Sequence, residues 1–399
     1  MLHIARTVVG LLFGVAAGCT SYDPAEVTLP AAAAGLPRHD GPLTFEQSVA
    51  LALASNGELA ARAAECRAAG LEVMPTELQG QLQQDNLALM VDPLALLGLA
   101  QRGASARLAE TRALAAAAAL ASERWRVVAA IAEVFVVDRA LAALPAAPAI
   151  AVDVDAFVAA GLASPHAAAT VRSAAAGVEA ERLAVAAERA TLQAELRRLL
   201  GLAPASQIEL VPPPAAWPPL PPSAEATVLR RPDLAETLVR YQVADAEFRK
   251  LVADQYPALM IGPDFALRGS GVDPMAILRL PLGGAGPATA ARDRREAARS
   301  RLRDAVLAAT NEAGSAAARL EAAEAKARAA SANAEAAGKA LVVAGVALQV
   351  EVDAFERLAE KAPMVVREAM EARDAATAAA RARVRAAVAA GWPVAEDAR

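Results

Sequence analysis

Apolar positions in the C-terminal third recur at alternating spacings of four and three: Leu302, Val306, Ala309, Ala313, Ala316, Leu320, Ala323, Ala327, Ala330, Ala334, Ala337 and Leu341. Alanine is so abundant that some register must look apolar, so the neighbouring register is the control. It holds Arg303, Glu321, Glu324, Arg328 and Glu335. A clean face beside a charged one predicts a coiled-coil seam, and its small side chains predict closely approaching helices. A return stripe follows through Phe355, Leu358, Ala362, Val365, Ala369, Ala372, Ala376 and Ala379. The same plan occurs upstream. Two Ala-rich arms, Gly103 to Gly161 and Gly286 to Gly345, have nearly equal lengths; each turns back at its glycine and continues as a long return helix. Such self-similarity predicts an internal duplication. At 1.5 Å per residue, an unbroken helical arm of this kind would reach roughly 85 Å.

A short apolar segment precedes each arm and reads as a strand pair: residues 76–98, with Gln84-Asp85-Asn86 as the turn, and residues 258–283, with Arg268 to Asp273 as the turn. Pro263 falls inside one of these strands. A helix opens at Leu43-Thr44-Phe45-Glu46-Gln47, where Thr44 and Gln47 have capping-box spacing, and Pro75 ends it. Pro145 and Pro148 predict a kink or break in the first arm, and Gly201 a helix end. The predicted organisation is a leader at 1–18, a tether at 19–42, a first repeat at 43–201, a Pro-rich spacer at 202–229, a second repeat at 230–391 and a tail at 392–399.

Composition narrows the chemistry. The 399 residues are 56% hydrophobic yet only 3% aromatic, and alanine makes the difference, which suits long packed helices. Interspersed charges with a net of −5 leave no basic stripe for nucleic acid. Arg6, the apolar run Val8 to Ala17 and the small residues before Cys19 predict a lipoprotein signal cleaved ahead of Cys19, which would then carry acyl chains such as palmitate. Beyond that leader no run of about 18 uncharged apolar residues exists, so any bilayer span would be built of strands. Few histidines and cysteines, no phosphate loop and no metal-ligand spacing argue against an enzyme, a resident metal or a cofactor. His166 alone makes no metal site.

Residues 43–59, LTFEQSVALALASNGEL, resemble the opening helix of the TolC-like outer-membrane efflux proteins, with Gly57 where that family usually has proline. Arg230-Arg231-Pro232-Asp233-Leu234 is similar to the start of their second repeat, Leu199-Leu200-Gly201-Leu202 to the end of the first, and Leu280-Pro281-Leu282 to the strand-to-arm junction. Ala159-Ala160-Gly161-Leu162-Ala163-Ser164 and Val343-Ala344-Gly345-Val346 resemble the two arm tips. The resemblance implies a mainly α fold: two long antiparallel helical hairpins, plus two short β-hairpins contributing to an outer-membrane β-barrel in a homotrimer. It further implies a lipid-anchored, largely periplasmic duct of a tripartite efflux system, docked to a periplasmic adaptor and served by an inner-membrane pump of the RND type. Its cargo would be drugs, metal ions or other small solutes.

On that resemblance Gly161, Ser164 and Gly345 are candidate docking turns, with ordinary helix ends as the plain alternative. The family commonly has a basic residue three places before each tip glycine; here Val158 and Val342 stand there. Glu351 and Asp353, after the second tip, are candidates for an acidic pore constriction, and solvated helix-surface carboxylates are the alternative. The strand pairs barely reach the roughly 9 to 11 residues per strand that a bilayer needs. Aromatic girdles are not evident either. A barrel-less periplasmic lipoprotein, acting as a helical scaffold that binds an adaptor, is therefore a second expectation.

Overall fold

The structure is a computed structural model that describes residues 35–71, 79–83, 86–90, 101–150, 152–214, 216–220, 228–255, 258–266, 272–279, 286–348 and 353–392. In chain order these form β1 (Gly41–Leu43), α1 (Phe45–Ser55), α2 (Gly57–Leu71), β2 (Gln79–Gln83), β3 (Asn86–Met90), α3 (Gln101–Ala142), α4 (Val154–Ala159) and α5 (Pro165–Leu199). The second half comprises β4 (Ile208–Leu210), α6 (Pro232–Ala253), β5 (Ala258–Ala266), β6 (Val272–Arg279), α7 (Gly286–Ala347) and α8 (Ala354–Ala389). The duplication is visible as helix, hairpin, arm and return helix, twice over. The fold is the expected one: mainly α, with long antiparallel helical hairpins and two β-hairpins. The leader and Cys19 lie outside the described residues.

The 62 residues of α7 form one helix, about 93 Å long at 1.5 Å per residue. Its buried residues include Ala309, Ala313, Leu320, Ala330 and Leu341, all on the predicted seam. In α8 the stripe holds through Phe355, Leu358, Ala362, Val365 and Ala372, then drifts to Ala375, Ala380, Val384 and Ala387. A straight helix has 3.6 residues per turn and walks away from a strict heptad. The drift also coincides with a change of neighbour, since Ala380, Val384 and Ala387 pack with Ala132, Val136 and Val137 of α3 rather than along α7.

The first arm breaks where the prolines stand. After Ala142 the chain runs through Pro145 and Pro148 without regular structure until Asp153 caps α4.

The two hairpins meet in one antiparallel sheet of order β2-β3-β5-β6. Pro263 sits inside β5, opposite Pro274 of β6. Neither has an amide hydrogen to give a ladder. On the other flank of β5, pairing with β3 runs Asn86↔Ala266, Leu87↔Phe265, Ala88↔Asp264 and stops one residue short of Pro263. A missing donor thus sets the length of the β3–β5 seam.

The spacer is more than a spacer. Its Ile208–Leu210 pairs in parallel with Gly41–Leu43 at the end of the tether, a two-stranded ladder that the sequence reading missed. Arg139 donates to the Pro214 carbonyl and Arg383 to the Ala216 carbonyl at 2.8 Å. The Pro214 carbonyl also accepts from the Trp217 amide at 3.1 Å, so Arg139 adds to a turn that the spacer makes with itself.

Five aromatic residues gather beside this spacer. Phe45 lies 4.4 Å from Trp217, 6.0 Å from Trp392 and 6.1 Å from Phe135, centroid to centroid, and Trp217 and Trp392 meet at 5.3 Å. The Trp125 indole donates to the Trp392 carbonyl at 3.0 Å. The N-terminal helix, the spacer, the first arm and the C-terminal segment all end in this cluster.

Local chemistry explains the helix ends nearby. Thr44 Oγ1 accepts from the Gln47 amide and Gln47 Oε1 from the Thr44 amide, the predicted capping box. Gly201, at φ +64°, closes α5: its amide donates to Arg198 at 3.1 Å and that of Leu202 to Arg197 at 2.9 Å. Ser55 and Asn56, at the break between α1 and α2, donate to the Leu200 and Leu199 carbonyls at 2.6 and 2.7 Å. The first repeat is thus stitched shut at its own beginning. An added Cβ at Gly201 would lie 2.4 Å from the Ser55 carbonyl oxygen. Gly201→Ala should therefore cost at least about 2 kcal/mol through strain and lost caps. Gly103→Ala, in a helix with open space around it, should gain up to about 1 kcal/mol. Thermal denaturation followed by circular dichroism reads both.

Candidate functional site at the arm tips

The two tips are built differently. In the first, α4 is capped by Asp153, whose carboxylate accepts from the Ala156 amide at 3.1 Å. Gly161, at φ +69°, reverses the chain, with its amide on the Val158 carbonyl and that of Leu162 on Phe157, both at 3.0 Å. Ser164 then caps α5, its Oγ accepting from Ala167 at 3.1 Å, and Pro165 fills the first helical position, where no amide is needed. Gly161 is a true turn residue.

Gly345 is not. It is an ordinary helical residue of α7, which continues to Ala347, and it is absent from the positive-φ glycines of the described chain. The expected reversal at Gly345 is therefore corrected: α7 passes through Gly345 and continues to Ala347. The run from Ala340 to Leu348 contains no proline and no capping polar side chain, so nothing local stops the helix at the glycine. Glu351 lies outside the described residues. Asp353 is exposed, at the head of α8, and makes no side-chain cap.

The tips pack on each other. Phe157 of α4 stacks at 5.2 Å on Phe355 of α8, above a core of Val171, Leu341, Leu358 and Val365. The Ser164 amide donates to Glu356 Oε1 at 3.3 Å, a direct polar tie between the two hairpins. Arg172 pairs with Asp155, and Lys339 with Glu335 at 2.6 Å, which holds Glu335 below the usual carboxylate range. Val342, Val343 and Val346 point outward on α7, with Val343 68% exposed, and Val158 and Leu162 are exposed on the first tip. Pro145, Pro148, Gly338, Val342 and Val343 line a groove of about 530 Å³ between the strap and α7.

Among the described residues no His, Cys, Asp and Glu cluster could hold a metal, and His166 is exposed on α5. No described helix is long and apolar enough to cross a membrane. The chemistry at the tips is that of contact. Sequence reasoning anticipated the chain reversal at Gly161 and singled out Val158 and Val342, but missed the Phe157–Phe355 stack.

Three solved structures place this geometry. The chain matches the open state of the Neisseria gonorrhoeae MtrE outer membrane channel at TM-score 0.67 and 16% identity, covering 87% of this chain and 88% of that one. It matches the outer membrane protein VceC from Vibrio cholerae at TM-score 0.68 and 16% identity, covering 87% and 96%. CusC, described for conformational changes accompanying folding and transmembrane channel formation, matches at TM-score 0.66 and 15% identity over 94% and 99%. The chain has the TolC-like fold. No protein-family model and no curated protein matches it. At these identities the likeness is one of architecture, and the TolC-like fold accounts for both hairpins, the shared sheet and the two tips at once.

The asymmetry of the tips gives a stability test. Gly161→Ala forces a Cβ into left-handed backbone and should destabilise by about 1 kcal/mol, whereas Gly345→Ala should be neutral or stabilise by up to about 1 kcal/mol. Equal losses from the two, measured by thermal melting, would show that Gly345 also turns the chain.

Proposed function

We propose that the chain is the outer-membrane exit duct of a tripartite efflux system, acting passively rather than as an enzyme. One observation carries the reading: two repeats deliver four antiparallel strands to a single sheet at one end of long helical arms, the longer helix about 93 Å. Within one protomer this sheet has two open edges, β2 and β6. Lipid offers no hydrogen bonds to an open edge, so a sheet in a bilayer must close on itself. Three copies would close twelve strands into a barrel, with the helices continuing as a periplasmic duct. Cys19 would carry the lipid anchor, an adaptor would seat on the tips at Gly161, Ser164 and Gly345, and an RND-type pump would supply the drive. Drugs, metal ions or other small solutes are the cargo class.

A specific observation favours the barrel-less scaffold as the second reading: β2 and β3 have five residues each, about half of what a tilted membrane strand needs. Planar-bilayer recording on purified protein separates the two. The duct reading expects a trimer by light scattering, acyl groups on Cys19 by mass spectrometry, and discrete conductance steps. A folded trimer that never conducts would leave the scaffold. If Glu351 and Asp353 ring the pore, Glu351→Gln with Asp353→Asn should lower cation preference several-fold; unchanged reversal potentials would return both carboxylates to the solvated surface.

Docking has its own test. Gly161→Trp and Gly345→Trp should each reduce site-directed cross-linking to the adaptor at least about tenfold while leaving conductance intact, one bulky ring sufficing to spoil close backbone approach. Undiminished cross-linking removes the tips from the interface.

A further inference from the structure

Glu181 of α5 is a buried carboxylate in a chain whose other acidic groups mostly face water. It is 8% exposed. Its Oε2 pairs with Arg373 of α8 at 3.0 Å, while its Oε1 is buried with no hydrogen-bond partner. One turn before it, Gly177 brings α5 so close to α8 that an added Cβ would sit 3.0 Å from Val366. That contact lies one helical turn from Glu181. Arg373 is not its alone, since it also holds the neighbouring Asp374 at 3.1 Å.

We propose that the α5–α8 contact is a proton-linked joint, in which closing the two return helices together takes up a proton at Glu181. A carboxylate buried from water, with one oxygen unpartnered and its paired cation shared, holds a proton more readily than one in solvent. The charges around it agree. From α8 come Arg373, which favours the anion, and Asp374, which opposes it; from α5 itself Glu188 opposes it as well. Further along the same helices, Arg381 of α8 bridges Glu133 of α3 and Glu188 of α5, and Arg189 of α5 holds Asp138 of α3 at 2.7 Å. Burial outweighs Arg373, and the Glu181 carboxyl is raised above its ordinary value.

The sign follows from linkage. A group that titrates higher when buried stabilises the closed contact below its solvent-exposed pKa, and that stabilisation fades as pH rises through the raised one. Acid therefore tightens this joint. An ion-pair latch would do the opposite, opening when its carboxylate is neutralised. In a duct whose two hairpins meet at their tips, the α5–α8 contact lies between them, so the pH of the surrounding medium would bias how readily the hairpins part.

The experiment uses the full chain in detergent, spin-labelled at Leu183 and Met370, both exposed, with pulsed dipolar spectroscopy between pH 4 and pH 8. The closed population should fall as pH rises, by about tenfold for each unit by which Glu181 exceeds its solvent value. Glu181→Gln should remain closed and lose the dependence. In the unlabelled wild type, carbon-13 NMR of the glutamate carboxyls should show Glu181 titrating above the ordinary range, which keeps the test alive if the variant misfolds. Titration at or below that range, opening in acid, or an unaltered pH response in Glu181→Gln would each overturn the proposal.

Discussion

The architecture depends on the aromatic contact among Phe45, Trp217 and Trp392. Alanine seams bury little area per residue, so long Ala-rich helices gain less from each turn of contact than leucine-based ones. This chain has 3% aromatic residues, and it spends five of them in one place. Edge-to-face rings add about 0.5 to 1.5 kcal/mol per pair beyond their burial. More important is what they join. Phe45 belongs to the first helix, Trp217 to the spacer between repeats, Phe135 and Trp125 to the first arm, and Trp392 to the segment after the last helix. The duplicated halves are joined here, because the first helix, the connection between halves and the segment after the last helix converge on it.

Away from that knot, specificity passes to ion pairs. Small side chains permit close approach but say little about register, since one alanine replaces another almost without penalty. The arginines restore the information. Arg189 grips Asp138 across α5 and α3, Arg381 joins Glu133 of α3 to Glu188 of α5, and Arg231 reaches Glu312 of α7 at 2.8 Å. Arg231 is 7% exposed, lies over the Trp125 ring and also holds Asp233. Its paired carboxylates keep it firmly protonated despite burial. Exposed pairs of this kind contribute little to stability, and buried ones fix geometry at a desolvation cost. Seams of alanine crossed by charged rungs hold a register that the small side chains alone would leave open.

What could be read from the sequence follows from how local each cause is. The α7 seam, the Thr44 box, the break at Pro145 and Pro148 and the end at Gly201 are written in a few consecutive residues, and each appears as expected. Gly345 failed because glycine permits a left-handed turn without requiring one, and its neighbours are good helix formers. The β1–β4 ladder failed because its partners stand far apart in sequence. Arg230-Arg231-Pro232-Asp233-Leu234 was legible only as a resemblance. Its physical reason, a buried guanidinium shared by three helices, is visible only once α3, α6 and α7 are assembled. The tip stack of Phe157 on Phe355 is of the same kind, since both rings sit within stretches that read as ordinary helix.

The sheet adds a last constraint. β5 and β6 are nearly twice as long as β2 and β3, so the four strands are matched over only part of their length. Opposed prolines at Pro263 and Pro274 lie in that unmatched part, beyond the point where β3 stops pairing with β5. With no donor at either position, adding a further strand there would gain fewer backbone hydrogen bonds than along the rest of the ladder.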